Sequence, residues 1–497
     1  MTLQAMLYKS YQNNNDKDAI ITDENLISYN ELFKKAYLIS SYISKAMNFK
    51  KKIIPLLFTS SEYYIYGILG ILYSKNIFMP LDITHPIDKL RDCLTSLECD
   101  FLIVDKKVSP HIIDAIKEIN IQFIFIEDIL SNREPASIVY NLQDYKEEDD
   151  IYIYFTSGST GKPKAILGVN RSLLHFVKWE INEFNVNNTD TFAQMTSPAF
   201  DPYLRDVFTP LCSGAKIQLV NRNIILVPRL FGKFLHNSQI TYLHTTPSIL
   251  RSLMNFTFNK DYFEKLRYML IAGEVLPPDI VKAWYSNYGN HTILVNLYGP
   301  TETTLAKVFA RIPDNFSDEI VPVGKPINDT NIYVMNDGAD TFTKYNKEDV
   351  GEIYIETEYM THGYYNDSNH TSFKTNNQKK CYATGDLGYI KGGNLYLVGR
   401  KDEQKKIGGV RVDLNEIKSF ILKYKEHKIE DCIVLYESNL LISFYIASNT
   451  IDLKDIRKFL ETRLLPIHIP HRFIKVNQFP MSINGKLDKK KLIEEML

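Results

Sequence analysis

The chain has 497 residues, room for two to four domains at roughly 100–200 residues each. Apolar residues make up 44% and charged residues 24%, which suits a large buried core and excludes a disordered or fibrous chain. Lys+Arg number 58 and Asp+Glu 59, so the net charge of −1 lacks the basic surplus of a nucleic-acid binder.

The first residues, MTLQAMLYKSYQNNNDKD, have neither the basic start nor the apolar run of a secretion signal. The longest apolar stretch, 63–73, falls short of the ~20 residues that span a bilayer. Five cysteines, Cys93, Cys99, Cys212, Cys381 and Cys432, are odd in number, widely spaced and free of any C-x-x-C. That pattern argues against a disulfide scaffold or a cysteine zinc site and for buried thiols in a reducing cytoplasm. The expectation is a soluble cytoplasmic protein with no membrane segment.

Helix and strand patterns alternate along the chain. A helix is expected over 31–47, and strands over 51–58, 99–105, 121–127, 150–157 and 241–246. Repeated β-then-α order implies mainly parallel strands covered by helices. The acidic patch at 146–150 reads as a solvated connector. After about residue 340 the pattern changes to short strands at 351–356, 382–390 and 393–400, a β-rich part. The last stretch reads as a small α+β unit: a helix over 414–424, strands over 430–437 and 440–448, and a helix over 451–464. A domain boundary is placed at 400/401, giving a core of 1–400 and a small domain of 401–497.

The sharpest local pattern follows the strand at 150–157. Thr156, Ser157, Gly158, Ser159, Thr160, Gly161 and Lys162, then Pro163 and Lys164, combine two glycines, four hydroxyls and two lysines. Backbone N–H groups and hydroxyls of such a loop can wrap a polyphosphate. It is not a Walker A loop, which needs four residues between its glycines and Ser/Thr after the lysine.

This loop resembles the phosphate-binding signature of the adenylate-forming superfamily: acyl-CoA synthetases, firefly luciferase and the adenylation domains of nonribosomal peptide synthetases. Further stretches resemble the family's motifs in the family's order. They are 26–32 (LISYNEL), Pro80-Leu81-Asp82, Asn296-Leu297-Tyr298-Gly299-Pro300-Thr301-Glu302, Gly351-Glu352-Ile353, Gly363-Tyr364, Tyr382-Ala383-Thr384-Gly385-Asp386, Gly399-Arg400-Lys401-Asp402 and Asn484-Gly485-Lys486. The likeness covers essentially the whole chain. The sequence departs from the pattern at Ala165, Asn170, His362, Ala383 and Gly408.

The resemblance implies a two-step reaction with ATP and Mg²⁺. A carboxylate attacks the α-phosphate of ATP, and pyrophosphate leaves. A thiol then takes the acyl group. By resemblance, Lys486 is the catalytic lysine that bridges the carboxylate and the phosphate, carried on a mobile C-terminal lid. Glu302 suits Mg²⁺, since a carboxylate beside a triphosphate needs a cation between. Thr156 to Lys162, with Asn296, Tyr298, Thr301, Asp386 and Arg400, are expected around the nucleotide, Tyr298 against adenine and Asp386 at the ribose. Asp402 resembles the hinge.

Asp201 matches the aspartate with which amino-acid-activating members hold an α-ammonium group. Carried over in the same way, the rest of the pocket is Pro202, Arg205, His244, Leu270, Ala272, Leu297, Leu305 and Ala306. Arg205 and His244 are unusual lining: either they face a polar or acidic side chain, or Arg205 pairs with Asp206 or Asp201. The expected substrate is a small or medium polar amino acid, an acidic one second. No carrier domain follows Lys486, so the expectation is a stand-alone enzyme loading the phosphopantetheine of a peptidyl carrier protein in trans. An acyl- or aryl-CoA synthetase is the alternative. A luciferase-like oxygenase or a non-catalytic relative is the alternative from another class.

Overall fold

Ser28 starts the first long helix with a reciprocal cap. Its hydroxyl accepts from the Glu31 N–H at 3.2 Å, and Glu31 Oε2 accepts from the Ser28 N–H at 3.0 Å. Two of the N–H groups that a helix start leaves unpaired are thereby satisfied. The helix runs Tyr29–Tyr42 and continues as a π turn, Ile43–Met47, where one α-helix was expected. The computed structural model describes residues 1–47, 51–132, 138–156, 163–335, 349–367, 370–376, 378–402, 404–424, 428–449, 451–480 and 492–494.

The chain divides into two compact units. One comprises Met1–Ile83, Leu97–Thr156 and Lys164–Lys401; the other, Asp402–Leu497 together with Thr84–Ser96. The large unit is α/β. Its nine-stranded sheet has a parallel centre, ordered Asp18–Ile21, Lys216–Leu219, Thr191–Gln194, Tyr242–Thr245, Tyr268–Ile271, Ile293–Tyr298. Antiparallel strands close both edges, Leu26–Ser28 on one side and Val308–Ile312 with Lys325–Pro326 on the other.

The seven-stranded sheet repeats the plan: Gln122–Phe125, Phe101–Val104, Ile53–Leu57, Ile77–Pro80 and Asp150–Thr156 are parallel, then Lys164–Val169 and Gly363–Tyr364 run antiparallel. A five-stranded antiparallel sheet, Asn331–Met335 to Asn394–Arg400, is the expected β-rich part. The expected parallel strands thus appear, with antiparallel edges added.

The small unit is α+β. A hairpin, Gln404–Ile407 with Val410–Asp413, leads to the helix Leu414–Leu422. Strands Asp431–Glu437 and Leu440–Ile446 pair antiparallel, and Arg472–Lys475 joins the second in parallel after the helix Leu453–Glu461. Its own core gathers Val412, Ile417, Cys432, Ile456 and Leu460. None of the five cysteines forms a disulfide among the described residues, and four of them are buried. Among the described residues no helix is long and apolar enough to cross a membrane.

Candidate active site

Strand register places the apolar wall of the site. His244 pairs with Leu270 and Leu270 with Val295 on adjacent parallel strands. Paired residues share a face and side chains alternate along a strand. His244, Leu270, Ala272 and Leu297 therefore lie on one face, at the C-terminal ends of the parallel strands, where open α/β sheets bind their ligands. Asn296 is turned to the opposite face, and its amide nitrogen donates to the Pro322 carbonyl at 2.9 Å.

The loop after Tyr298 is held in an unusual shape. Thr304 and Leu305 both have positive φ, 62° and 61°. A β-branched residue rarely adopts that region, and such strain gathers at functional sites. A Cβ on Gly299 would lie 2.2 Å from the Leu305 carbonyl oxygen, so only glycine permits this approach. Tyr152 supports the loop from the other sheet's hairpin. Its ring covers Gly168, where a Cβ would sit 1.8 Å away, and its hydroxyl meets Thr304 Oγ1 at 3.1 Å. Leu305 and Ala306 are buried behind it.

Asp201 lies in the turn that opens the helix Tyr203–Ser213. Thr301, expected among the nucleotide contacts, donates its hydroxyl to Asp201 Oδ1 at 2.9 Å. Burial pushes the Asp201 carboxyl up, to about 6. The Thr301 hydrogen bond and Arg205 pull the other way, and Glu302 adds to the rise. Glu302 is fully buried, and its Oε1 accepts from the Tyr364 hydroxyl at 2.7 Å. Tyr364 lies 62 residues further along the chain.

Arg205 and His244 belong to one buried ionic cluster. His244 Nδ1 lies 2.8 Å from Asp206 Oδ1 and its Nε2 2.9 Å from Glu180 Oε1. Arg205 Nε is 4.0 Å from the same Asp206 oxygen. Burial alone would lower the His244 pKa, but the Glu180 and Asp206 carboxylates outweigh it and hold it above the ordinary histidine value. Of the two options left open for Arg205, the structure has the pairing with Asp206. Glu180 had no place in the expected pocket, and Asp206 entered it only as a partner for Arg205.

A third group forms at the five-stranded sheet. Asp386 and Arg400 are register partners on neighbouring strands, and the Arg400 guanidinium pairs with Asp386 Oδ1. Tyr298 donates to Asp386 Oδ2 at 2.7 Å. Each carboxylate oxygen keeps a second lone-pair site. Residues 157–162 and Lys486 lie outside the described residues, and Asp402 belongs to the small unit. Among the described residues no group of three or more His, Cys, Asp or Glu could hold a metal. Mg²⁺ does not require one, because it keeps waters and takes one or two carboxylates plus substrate phosphates. Buried Glu302 fits that donor set, and the ion would neutralise charge on the phosphates.

The model of the family described as AMP-binding enzyme matches residues 7–365. This chain belongs to that family. The AMP-binding enzyme is accordingly an adenylate-forming ligase that consumes ATP. It is 27% identical to zwittermicin A synthase ZmaJ of Bacillus cereus, over 96% of this chain and 92% of that one. It is 28% identical to the D-alanine–D-alanyl carrier protein ligase of Staphylococcus aureus, over 95% and 94%. Several other relatives are longer synthases, of which the chain spans 44% or less. The solved structure of the Vibrio cholerae adenylation domain AlmE with glycyl-adenosine-5'-phosphate matches with a TM-score of 0.86 at 21% identity, over 99% of this chain and 97% of that one. At that identity the likeness establishes the fold.

Proposed function

We propose that the AMP-binding enzyme activates an α-amino acid with a small or medium polar side chain and hands it to the phosphopantetheine thiol of a carrier protein. The observation that carries this reading is Asp201: a partly buried carboxylate, hydrogen-bonded by Thr301 and raised to about 6, at the edge of an apolar wall. A desolvated carboxylate needs a cationic partner, and a substrate ammonium group supplies one. Acids without an amino group leave that charge unmatched.

The reaction then runs as two displacements. The amino-acid carboxylate oxygen attacks the α-phosphorus, a P–O bond forms, and pyrophosphate leaves. In the second, the carrier thiolate attacks the acyl carbon and AMP leaves. Asp201 orients the ammonium end, Glu302 suits the cation on the phosphates, and Tyr298, Asp386 and Arg400 suit the nucleoside. The likeness to a ligase named for a carrier protein supports a carrier as acceptor. The cytoplasm, where ATP is available, suits this chemistry.

A pyrophosphate-exchange panel of amino acids against fatty and aryl acids tests the reading. Exchange with amino acids alone is expected. Exchange with an aryl or fatty acid alone would replace it by the CoA-synthetase alternative.

The hinge carries a separate prediction. Asp402 Oδ1 accepts from the Gln404 N–H at 3.2 Å, an Asx-type turn at the first residue of the small unit. We propose that the chain turns here between the two displacements. Proline fixes φ near −65° and removes the N–H. Asp402→Pro should keep pyrophosphate exchange within about tenfold and reduce transfer to a loaded carrier much further, as for a blocked conformational step. Equal loss of both activities in the two assays would remove Asp402 as the hinge.

A further inference from the structure

Glu180 and Asp206 have no role in the reading above, yet both are fully buried beside the apolar wall. Each is tied down twice. Glu180 Oε1 faces His244 Nε2 at 2.9 Å, and Glu180 Oε2 accepts from the Thr209 hydroxyl. Asp206 Oδ1 faces His244 Nδ1 at 2.8 Å, and Asp206 Oδ2 accepts from the Thr196 N–H at 3.2 Å. Ionised carboxylates only accept hydrogen bonds. With one at each ring nitrogen, both nitrogens of His244 must donate, so the ring is a cation.

The charges of this cluster cancel. Two carboxylates, Glu180 and Asp206, face two cations, His244 and Arg205. The cluster therefore has no spare positive charge for a substrate side chain, although two of its residues are basic. Close by, Asp201 and Glu302 add two negative groups, which the substrate ammonium and the metal ion would match.

Resting on the amino-acid reading above, we propose that Glu180 and Asp206 determine specificity by neutralising the basic residues of the pocket, so that the enzyme takes an amino acid with an uncharged side chain and rejects its acidic isostere. A side-chain carboxylate would be a further buried negative charge without a partner. Specificity built on an unpaired charge in the wrong complex is a common form of discrimination. An uncharged hydroxyl or amide suits better. Arg205 Nε is buried with no hydrogen-bond acceptor, and a side-chain oxygen of the substrate could accept from the guanidinium. Glu180 acts through His244 and is a positioning residue.

The test compares isosteres, asparagine with aspartate and glutamine with glutamate, together with serine and threonine, by pyrophosphate exchange with the full chain. The uncharged member of the better-accepted pair should exceed the acidic one in kcat/KM by about 100-fold or more, the scale of burying an unpartnered charge. Glu180→Gln keeps the size of the side chain and an oxygen facing His244 but removes one negative charge from the cluster, leaving Asp206 as the one carboxylate of the cluster beside Arg205 and His244. The uncharged-to-acidic ratio should then fall at least about tenfold, a change that a merely structural role would not produce, because the ratio is independent of the fraction folded. A wild-type preference for aspartate or glutamate would overturn the inference and leave the amino-acid reading standing. Exchange with aryl or fatty acids alone would overturn that reading itself. An unchanged ratio in Glu180→Gln would remove Glu180 from specificity. Should that variant fail to fold, the wild-type isostere ratio decides by itself.

Discussion

Replacing Lys486 with alanine should slow adenylate formation by about 10²–10³-fold and leave thermal unfolding unchanged. The effect is electrostatic. As the carboxylate approaches the α-phosphorus, negative charge from two anions concentrates on a few oxygens. A preorganised cation placed where that charge develops is worth about 2.7–4 kcal/mol, the loss seen when one such donor is removed. Lys486 stands in Asn484-Gly485-Lys486, the motif that resembles the family's terminal lysine. The sequence around it, Asn484-Gly485-Lys486-Leu487-Asp488-Lys489-Lys490, is mostly polar, so the replacement should cost little packing and the parent and the variant should melt together. The second displacement needs no such cation at phosphorus. Transfer to a carrier from a chemically supplied aminoacyl-adenylate should therefore persist in Lys486→Ala. Near-parental pyrophosphate exchange would show that another residue supplies the charge.

Legibility in the sequence followed the range of the interactions. Strands were readable where apolar runs are short and bounded: 150–157 is Asp150–Thr156, and 430–437 is Asp431–Glu437. The helix read as 31–47 begins earlier, because the cap at Ser28 fixes its start, and changes to a π turn at Ile43. Hydrophobic periodicity does not distinguish those two helical forms. Asp201, Glu302 and Asp386 could be singled out as candidates because they stand inside recognisable local motifs.

Glu180 was missed because its partner, His244, lies 64 residues away. One local sign was available. Leu173, Val177 and Phe184 are buried on the helix Asn170–Phe184, and Glu180 continues their stripe at helical spacing. A charged residue in an apolar stripe implies a buried partner. Asp206 carried a weaker sign, since it directly follows Arg205 and either neighbour or substrate could have taken the guanidinium.

Asp201→Asn should weaken amino-acid binding while making the free protein more stable at neutral pH. The two effects have one cause. Burial, with Glu302 near, raises the Asp201 carboxyl from 3.8 to about 6 in the fold. A group with a raised folded pKa favours the folded state fully below its unfolded pKa, and that advantage is lost as pH climbs through the folded one. Between about pH 4 and 6 the parent should therefore lose roughly 2–3 kcal/mol of stability, at 1.36 kcal/mol per pKa unit. The replacement amide cannot ionise, so the variant should melt higher than the parent at pH 7, and the difference should vanish near pH 4. Binding runs the other way. The ammonium group needs the ionised carboxylate, so the parent's affinity should fall as pH drops through about 6, approaching tenfold per unit. The variant should lack that dependence and bind about 30-fold or more weakly at pH 7.5, the lower end of the 2–5 kcal/mol for truncating a buried charge pair. It should also lose discrimination between the amino acid and its deaminated analogue. Calorimetric binding and melting curves at several pH values measure both sides. If the variant gains stability yet still prefers the amino acid as strongly as the parent, the carboxylate is buried for another reason and the ammonium site lies elsewhere.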